Sequence, residues 1–130
     1  MMSPADEDTR SWLSYADADM AAAEGLHNLG LDSNALFHLQ QAIEKTLKAV
    51  LLKKTGAEPP RLHSLRGLAE RCGFNLTPGQ KLFLEKLSNY YVESRYPGDW
   101  ELPPPETISQ ETKTLMPSAR EFIRWLRSQI

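Results

Sequence analysis

The sequence is poor in the residues that form covalent crosslinks and metal sites. It contains a single cysteine, Cys72, so a disulfide within the chain is impossible and a thiolate metal site would lack ligands. Cys72 lies in an apolar context, which is typical of a half-buried small hydrophobic residue rather than a reactive thiol. The three histidines are not at metal-binding spacing. We therefore expect neither a metal ion nor a cofactor.

Long apolar runs are also missing. The longest purely apolar run is Ala49 to Leu52, which is far too short to span a bilayer. The stretch from Met1 to Asp8 is acidic and lacks the apolar region of a secretory signal. These features predict a cytoplasmic protein with no membrane contact.

Neither sign of charge dominates, and the motifs of common enzyme classes are absent. The chain has 15 basic and 17 acidic residues, whereas a dedicated nucleic-acid-binding protein is normally basic. There is no glycine-rich phosphate loop, no HExxH and no nucleophile elbow. The length of 130 residues and the hydrophobic content of 41% suit one domain with one core, spanning residues 1–130.

Glycine and proline divide the chain into segments with helical periodicity, and no run alternates with period two. Short connectors between helices favour an all-α up-and-down bundle of four main helices plus one short helix. The first two helices are joined by about three residues and should be antiparallel neighbours. The predicted helices run from Thr9 to Leu29, Ser33 to Lys54, Ser64 to Arg71, Thr77 to just before Pro97, and Glu106 to Ser128.

Several positions predict how these helices end and which side they bury. Gly30 should end the first helix in the left-handed conformation, and Thr77 with Gln80 predicts a capping box. Pro117 should kink or split the last helix. The apolar stripe of the first helix is predicted to comprise Trp12, Tyr15, Ala16, Asp19, Ala23, Leu26 and Leu29, and that of the fourth helix Leu82, Phe83, Leu87, Tyr90 and Tyr91.

A polar strip follows the second helix. His38, Gln41, Lys45 and Lys48 recur at helical spacing, roughly opposite the apolar face of that helix. One imidazole, one amide and two ammonium groups suit an anionic ligand such as a phosphate. The alternative is an ordinary solvated face. Glu44 can also pair with Lys48 across one helical turn.

A second candidate site is the aromatic segment from Tyr90 to Trp100, which contains three tyrosines, one tryptophan and Arg95. Aromatic rings could stack on a base, and the guanidinium could bind a phosphate or a carboxylate. Alternatively, some of these rings fill the core and Arg95 pairs with a local acid. His63 either caps the third helix or lines a pocket.

Four segments, in this order and spacing, resemble the HEPN (higher eukaryotes and prokaryotes nucleotide-binding) family over nearly the whole chain. The most specific is the Gln-Gln-Ala-x-Glu-Lys-x-Leu-Lys-Ala run that begins at Gln40. The resemblance implies a bundle of four main helices, usually paired into a homodimer. The four segments are Trp12 to Met20, Phe37 to Ala49, His63 to Leu68 and Tyr91 to Pro97.

The resemblance also implies several roles. Many HEPN proteins act beside a minimal nucleotidyltransferase, often as toxin and antitoxin. Others are metal-independent ribonucleases, whose signature is an arginine followed, after four to six residues, by a histidine. Arg95 matches the arginine, but Trp100, Glu101 and Leu102 occupy the histidine positions, and no histidine follows later. Ribonuclease chemistry by the family mechanism would therefore lack its general acid–base partner.

The leading hypothesis is a dimeric HEPN binding module. It would act with a nucleotidyltransferase-type partner, in a toxin–antitoxin-like pair, and would bind a nucleotide or another anion. The residues expected to bind this ligand are Tyr91, Arg95 and Tyr96, with His38, Gln41 and Lys45 as further candidates.

Two alternatives stay open. The first is a metal-independent ribonuclease with a rearranged active site, in which Arg95 holds the phosphate of an RNA and His63 or His38 supplies the proton chemistry. The second is a structural interaction protein without a ligand, in which Arg95 is paired with an acid of the same chain.

Overall fold

The computed structural model describes residues 2–91 and 103–130, so the predictions for Arg95, Tyr96 and Trp100 lie outside the described residues. Within those ranges the chain is all-helical with no strand, which confirms the predicted fold class. No described helix is long and apolar enough to cross a membrane. The helices are α1 (Pro4–Asn28), α2 (Asp32–Thr55), α3 (Leu65–Arg71), α4 (Pro78–Ser88) and α5 (Pro105–Arg127).

Local capping chemistry sets both ends of α1. The helix begins earlier than predicted because the Ser3 hydroxyl caps it by accepting the Asp6 backbone N–H, and Pro4 occupies the first turn. At the other end Gly30 has a φ of 78°, as predicted. The N–H of Gly30 donates to the carbonyl of His27, and that of Leu31 donates to the carbonyl of Leu26. This pair of bonds is the Schellman arrangement that reverses the chain into α2.

The first two helices form the antiparallel pair that the sequence predicted. Asp6 near the start of α1 contacts Lys53 near the end of α2, while Asp19 contacts Lys45 in the middle of both helices. α2 packs against each of the other four helices. The small residues Ala35, Ala42 and Ala49, which recur every seven positions along α2, are fully buried.

The buried stripe of α1 is narrower than predicted. Ala16, Asp19 and Ala23 are buried, but Tyr15 and Leu29 are exposed. The reason is that α1 packs mainly against a single helix, α2, so only a thin line of its surface is covered. The core instead gathers around α2, α3, α4 and α5, where its largest fully buried side chains are Leu36, Leu39, Ile43, Leu47, Leu65, Leu68, Leu84, Leu87 and Leu126.

α4 begins as predicted and ends early. The Thr77 hydroxyl accepts the backbone N–H of Gln80, whose side chain accepts the backbone N–H of Thr77. The helix stops at Ser88 because Tyr90 turns into the core, where its hydroxyl donates to Glu111. Burial and this hydrogen bond raise the pKa of Tyr90.

One predicted buried position on α4 was wrong, and of the two outcomes predicted at Pro117, a kink or a split, the split is absent. Leu82 on α4 is exposed, and Leu84 occupies the core instead. α5 is not split at Pro117 and runs unbroken from Pro105 to Arg127. Pro117 lies on the exposed side of α5, as does Lys113, whose carbonyl loses its helical N–H partner to the proline. Water can therefore solvate that carbonyl.

Candidate functional site

A buried carboxylate on α1 organises two members of the polar strip. Asp19 receives Nζ of Lys45 on one carboxylate oxygen at 2.5 Å. Nδ1 of His38 lies 2.9 Å from the other oxygen. The two α2 side chains therefore converge on one acid, and Lys45 is already paired. The side chains of His38 and Lys45 remain about a third and a quarter exposed (33% and 25%).

A second buried carboxylate, Glu44, collects the remaining polar groups of α2. Lys48 donates to it at 3.1 Å and the amide of Gln40 donates at 3.3 Å. The amide of Gln41 in turn donates to the side-chain oxygen of Gln40 at 2.6 Å. The side chains of Glu44 and Lys48 are only 5% and 8% exposed, so the predicted pair across one helical turn is present and buried.

His63 connects this buried network to the surface. Its Nδ1 lies 3.2 Å from both carboxylate oxygens of Glu44, while its side chain is 45% exposed. The imidazole stacks on the Tyr91 ring, with ring centroids 4.8 Å apart and planes 20° from parallel. Ser64, not His63, caps α3 by accepting the backbone N–H of Gly67. His63 is thus fixed by a buried acid on one side and an aromatic face on the other.

The polar strip of α2 faces α1 rather than open solvent. Nζ of Lys48 lies 5.5 Å from the centre of the Trp12 ring, and Nζ of Lys45 lies 5.9 Å from that of Tyr15. These distances are within the range of cation–π attraction. Neither an open cationic strip nor a plain solvated face describes this side of α2, because α1 supplies both an acid and aromatic rings to it.

Comparison with known proteins identifies the family. The sequence model of the HEPN domain matches residues 9–129. This chain belongs to the HEPN family. Its structure is similar to that of TT1696 from Thermus thermophilus, with 23% identity, a TM-score of 0.76, and coverage of 94% of this chain and 98% of that one. It is also similar to ST0689, an archaeal HEPN homologue, with 24% identity, a TM-score of 0.71, and coverage of 93% and 96%. No curated protein matches the sequence.

Charge balance limits what this HEPN site can bind through its lysines. The carboxylates of Asp19 and Glu44 offset the ammonium groups of Lys45 and Lys48. The described residues hold no group of three or more histidine, cysteine or acidic side chains that could bind a metal ion. Within the Glu44 network, His63 reaches the surface, where 45% of its side chain is exposed.

Sequence reasoning missed the two acids that organise the HEPN site. Asp19 was placed on the buried stripe of α1, and a lone acid inside an apolar stripe is a signal that a basic partner faces it. Glu44 was assigned only its pairing with Lys48. Its contact with His63 joins residues 19 positions apart, and no local pattern indicates it.

Proposed function

We propose that this HEPN protein is a binding module for a nucleotide or another phosphate-bearing ligand, and that the ligand docks on the surface around His63 and Tyr91. The observation that carries the proposal is the stacked His63–Tyr91 pair, held by the buried Glu44 carboxylate. A fixed aromatic pair stacks on a base with little loss of side-chain entropy, and a protonated imidazole binds phosphate.

Arg95 completes the proposed site. It follows Tyr91 by four residues in the sequence and precedes Tyr96 directly. Its guanidinium is suited to bidentate contact with a phosphate. His38, Gln41 and Lys45 have a supporting part, because their polar groups already bind Asp19 and Gln40. His38 and Lys45 join α2 to α1 through Asp19, and Gln41 supports Gln40 within α2, so in this proposal none of the three contacts the ligand directly.

In the same proposal the module works as a homodimer beside a minimal nucleotidyltransferase-type partner, in a toxin–antitoxin-like pair. Support comes from membership of the HEPN family, in which such pairs are common. Light scattering coupled to size-exclusion chromatography measures the mass in solution. A mass of 14.7 kDa at every concentration would contradict the dimer.

Calorimetric titration with ATP and with a short single-stranded RNA tests ligand binding. Arg95→Ala should weaken binding about tenfold or more, because hydrogen bonds to charged groups contribute about 1.5–3 kcal/mol. Arg124→Ala is the matched control, since Arg124 is exposed on α5 and has no side-chain partner among the described residues. Absence of binding to the wild type, or equal losses in the two variants, would refute the proposal.

A second candidate function is a metal-independent ribonuclease, which the contact between His63 and Glu44 favours. A buried carboxylate that fixes Nδ1 leaves Nε2 available for proton transfer, as in a histidine–acid dyad. Nε2 of His63 makes no hydrogen bond to the described residues. His63 would then replace the histidine that is missing after Arg95.

RNA cleavage in the presence of EDTA separates the two functions. A ribonuclease of this kind would lose cleavage in Arg95→Ala, in His63→Ala and, less completely, in Glu44→Gln, while Arg124→Ala stayed active. Cleavage that survives in His63→Ala would rule out the dyad. Absence of cleavage by the wild type, together with measurable ATP binding, would leave the binding module as the function.

A further inference from the structure

A second surface lies apart from His63 and Tyr91, in a cleft between the first half of α1 and the chain that follows α2. Its volume is about 460 Å³. Gly56 ends α2 with a φ of 70°, and the chain beyond it forms one wall through Glu58 and Pro59. The other wall is one face of α1, which contributes Pro4, Ala5, Asp8, Ser11, Trp12 and Tyr15.

The lining of this cleft combines aromatic rings with unpaired acids. Tyr15 is 62% exposed, so its ring is accessible to a ligand in the cleft. The carboxylates of Asp8 and Glu58 have neither a hydrogen bond nor an ion pair with any described residue. Lys45 and Lys48, which lie near the rings of Tyr15 and Trp12, do not neutralise Asp8 and Glu58. Their ammonium groups are paired with Asp19 and Glu44 instead.

The chemistry of this lining selects a planar cation. Guanidinium groups stack on aromatic faces and donate to carboxylates from their edges, while the aliphatic stem of an arginine packs on apolar walls. Leu52, Pro4 and Pro59 provide such walls. A phosphate backbone would instead meet the uncompensated negative charge of Asp8 and Glu58, which disfavours nucleic acid here.

We propose that this cleft binds an arginine-bearing segment of a partner protein, with the guanidinium on Tyr15 and Trp12 and its edges toward Asp8 and Glu58. The proposal is independent of the nucleotide site, since His63 and Tyr91 do not line the cleft. Either site can therefore fail without the other.

Nuclear magnetic resonance of the full chain, titrated with the blocked peptide acetyl-Arg-Ala-Arg-amide, tests the proposal at one residue. The indole N–H signal of Trp12, assigned with Trp12→Phe, should shift and saturate, while that of Trp125 on α5 stays fixed. The peptide with glutamate in place of arginine should cause no shift. A third peptide, with lysine in place of arginine, tests the guanidinium itself. A wild-type signal that does not saturate with the arginine peptide, or that responds equally to the lysine peptide, would overturn the guanidinium assignment.

Paired variants test the charges and the ring. Asp8→Asn with Glu58→Gln should weaken peptide binding about fivefold or more, by removal of two ion pairs. Glu106→Gln with Glu121→Gln is the matched control, because both acids are exposed on α5 and the net charge changes equally. Tyr15→Leu should weaken binding about two- to fivefold through loss of a cation–π contact. Equal losses in the two double variants would show unspecific charge attraction and overturn the site.

Discussion

The buried pair of Glu44 and Lys48 yields the sharpest prediction about stability. Glu44→Leu removes the carboxylate and leaves the ammonium of Lys48 in a position where the side chain is 8% exposed. Gln40 and His63 lose their acceptor in the same step. Stranding a buried charge costs about 3–5 kcal/mol. That is a large part of the roughly 5–15 kcal/mol by which such a domain is stable.

The reverse substitution should be milder. In Lys48→Met the carboxylate of Glu44 keeps Gln40 and His63 as hydrogen-bond partners. The loss is then one charged hydrogen bond and one contact with the Trp12 ring, about 1–3 kcal/mol. The double variant Glu44→Leu with Lys48→Met replaces both charges by apolar side chains. It should be more stable than Glu44→Leu alone, because no charge is left stranded.

Urea unfolding followed by far-ultraviolet circular dichroism gives the free energy of unfolding for the wild type and the three variants. A double-mutant cycle then yields the coupling energy of the pair. If the two single substitutions cost the same and the double variant shows their sum, the two side chains are not coupled. The reasoning from burial would then be wrong.

Three further predictions concern stability. Burial raises the pKa of the Cys72 thiol to about 11 from 9.0. The contribution of the protonated thiol to the free energy of unfolding is therefore complete below pH 9.0 and is lost as the pH rises toward 11. The free energy of unfolding should fall by roughly 2 kcal/mol over that interval, and Cys72→Ala should flatten the decline. Thr77→Ala should cost about 1 kcal/mol in urea unfolding, since it removes the cap of α4. An unchanged urea midpoint in this variant would show that the cap does not stabilise the protein. Pro117→Ala should raise the unfolding temperature, because it restores an N–H to the carbonyl of Lys113 at an exposed position, a gain of about 1–3 kcal/mol; a lower temperature would contradict this.

The sequence predicted two helix ends that depend on local chemistry, although it missed the local cap that Ser3 provides at the start of α1. The capping box at Thr77 and the left-handed Gly30 each involve residues a few positions apart, so one segment contains the whole cause. The end of α4 is different. It is set by the burial of Tyr90, whose hydroxyl contacts Glu111, 21 positions away. Helical periodicity in the sequence gives no indication of such a contact.

The same distinction explains what could be predicted about the candidate site. Spacing placed His38, Gln41 and Lys45 on one side of α2, and periodicity alone cannot say which element covers that side. The structure shows α1 there, with Asp19 between His38 and Lys45. An interpretation of those side chains as anion ligands needs them unpaired, and the acid on α1 removes that condition for Lys45.

The central position of α2 separates polar groups that hold the fold from those that remain free for a ligand. Because α2 packs against every other described helix, four of its polar side chains, Gln40, Glu44, Thr46 and Lys48, are buried and must find partners. Among the described residues no buried side-chain polar atom lacks one. Unpaired groups at the edges of the packing around α2 include Nε2 of His63 and the carboxylates of Asp8 and Glu58. Ligands of this HEPN protein should therefore bind at those edges rather than along α2 itself.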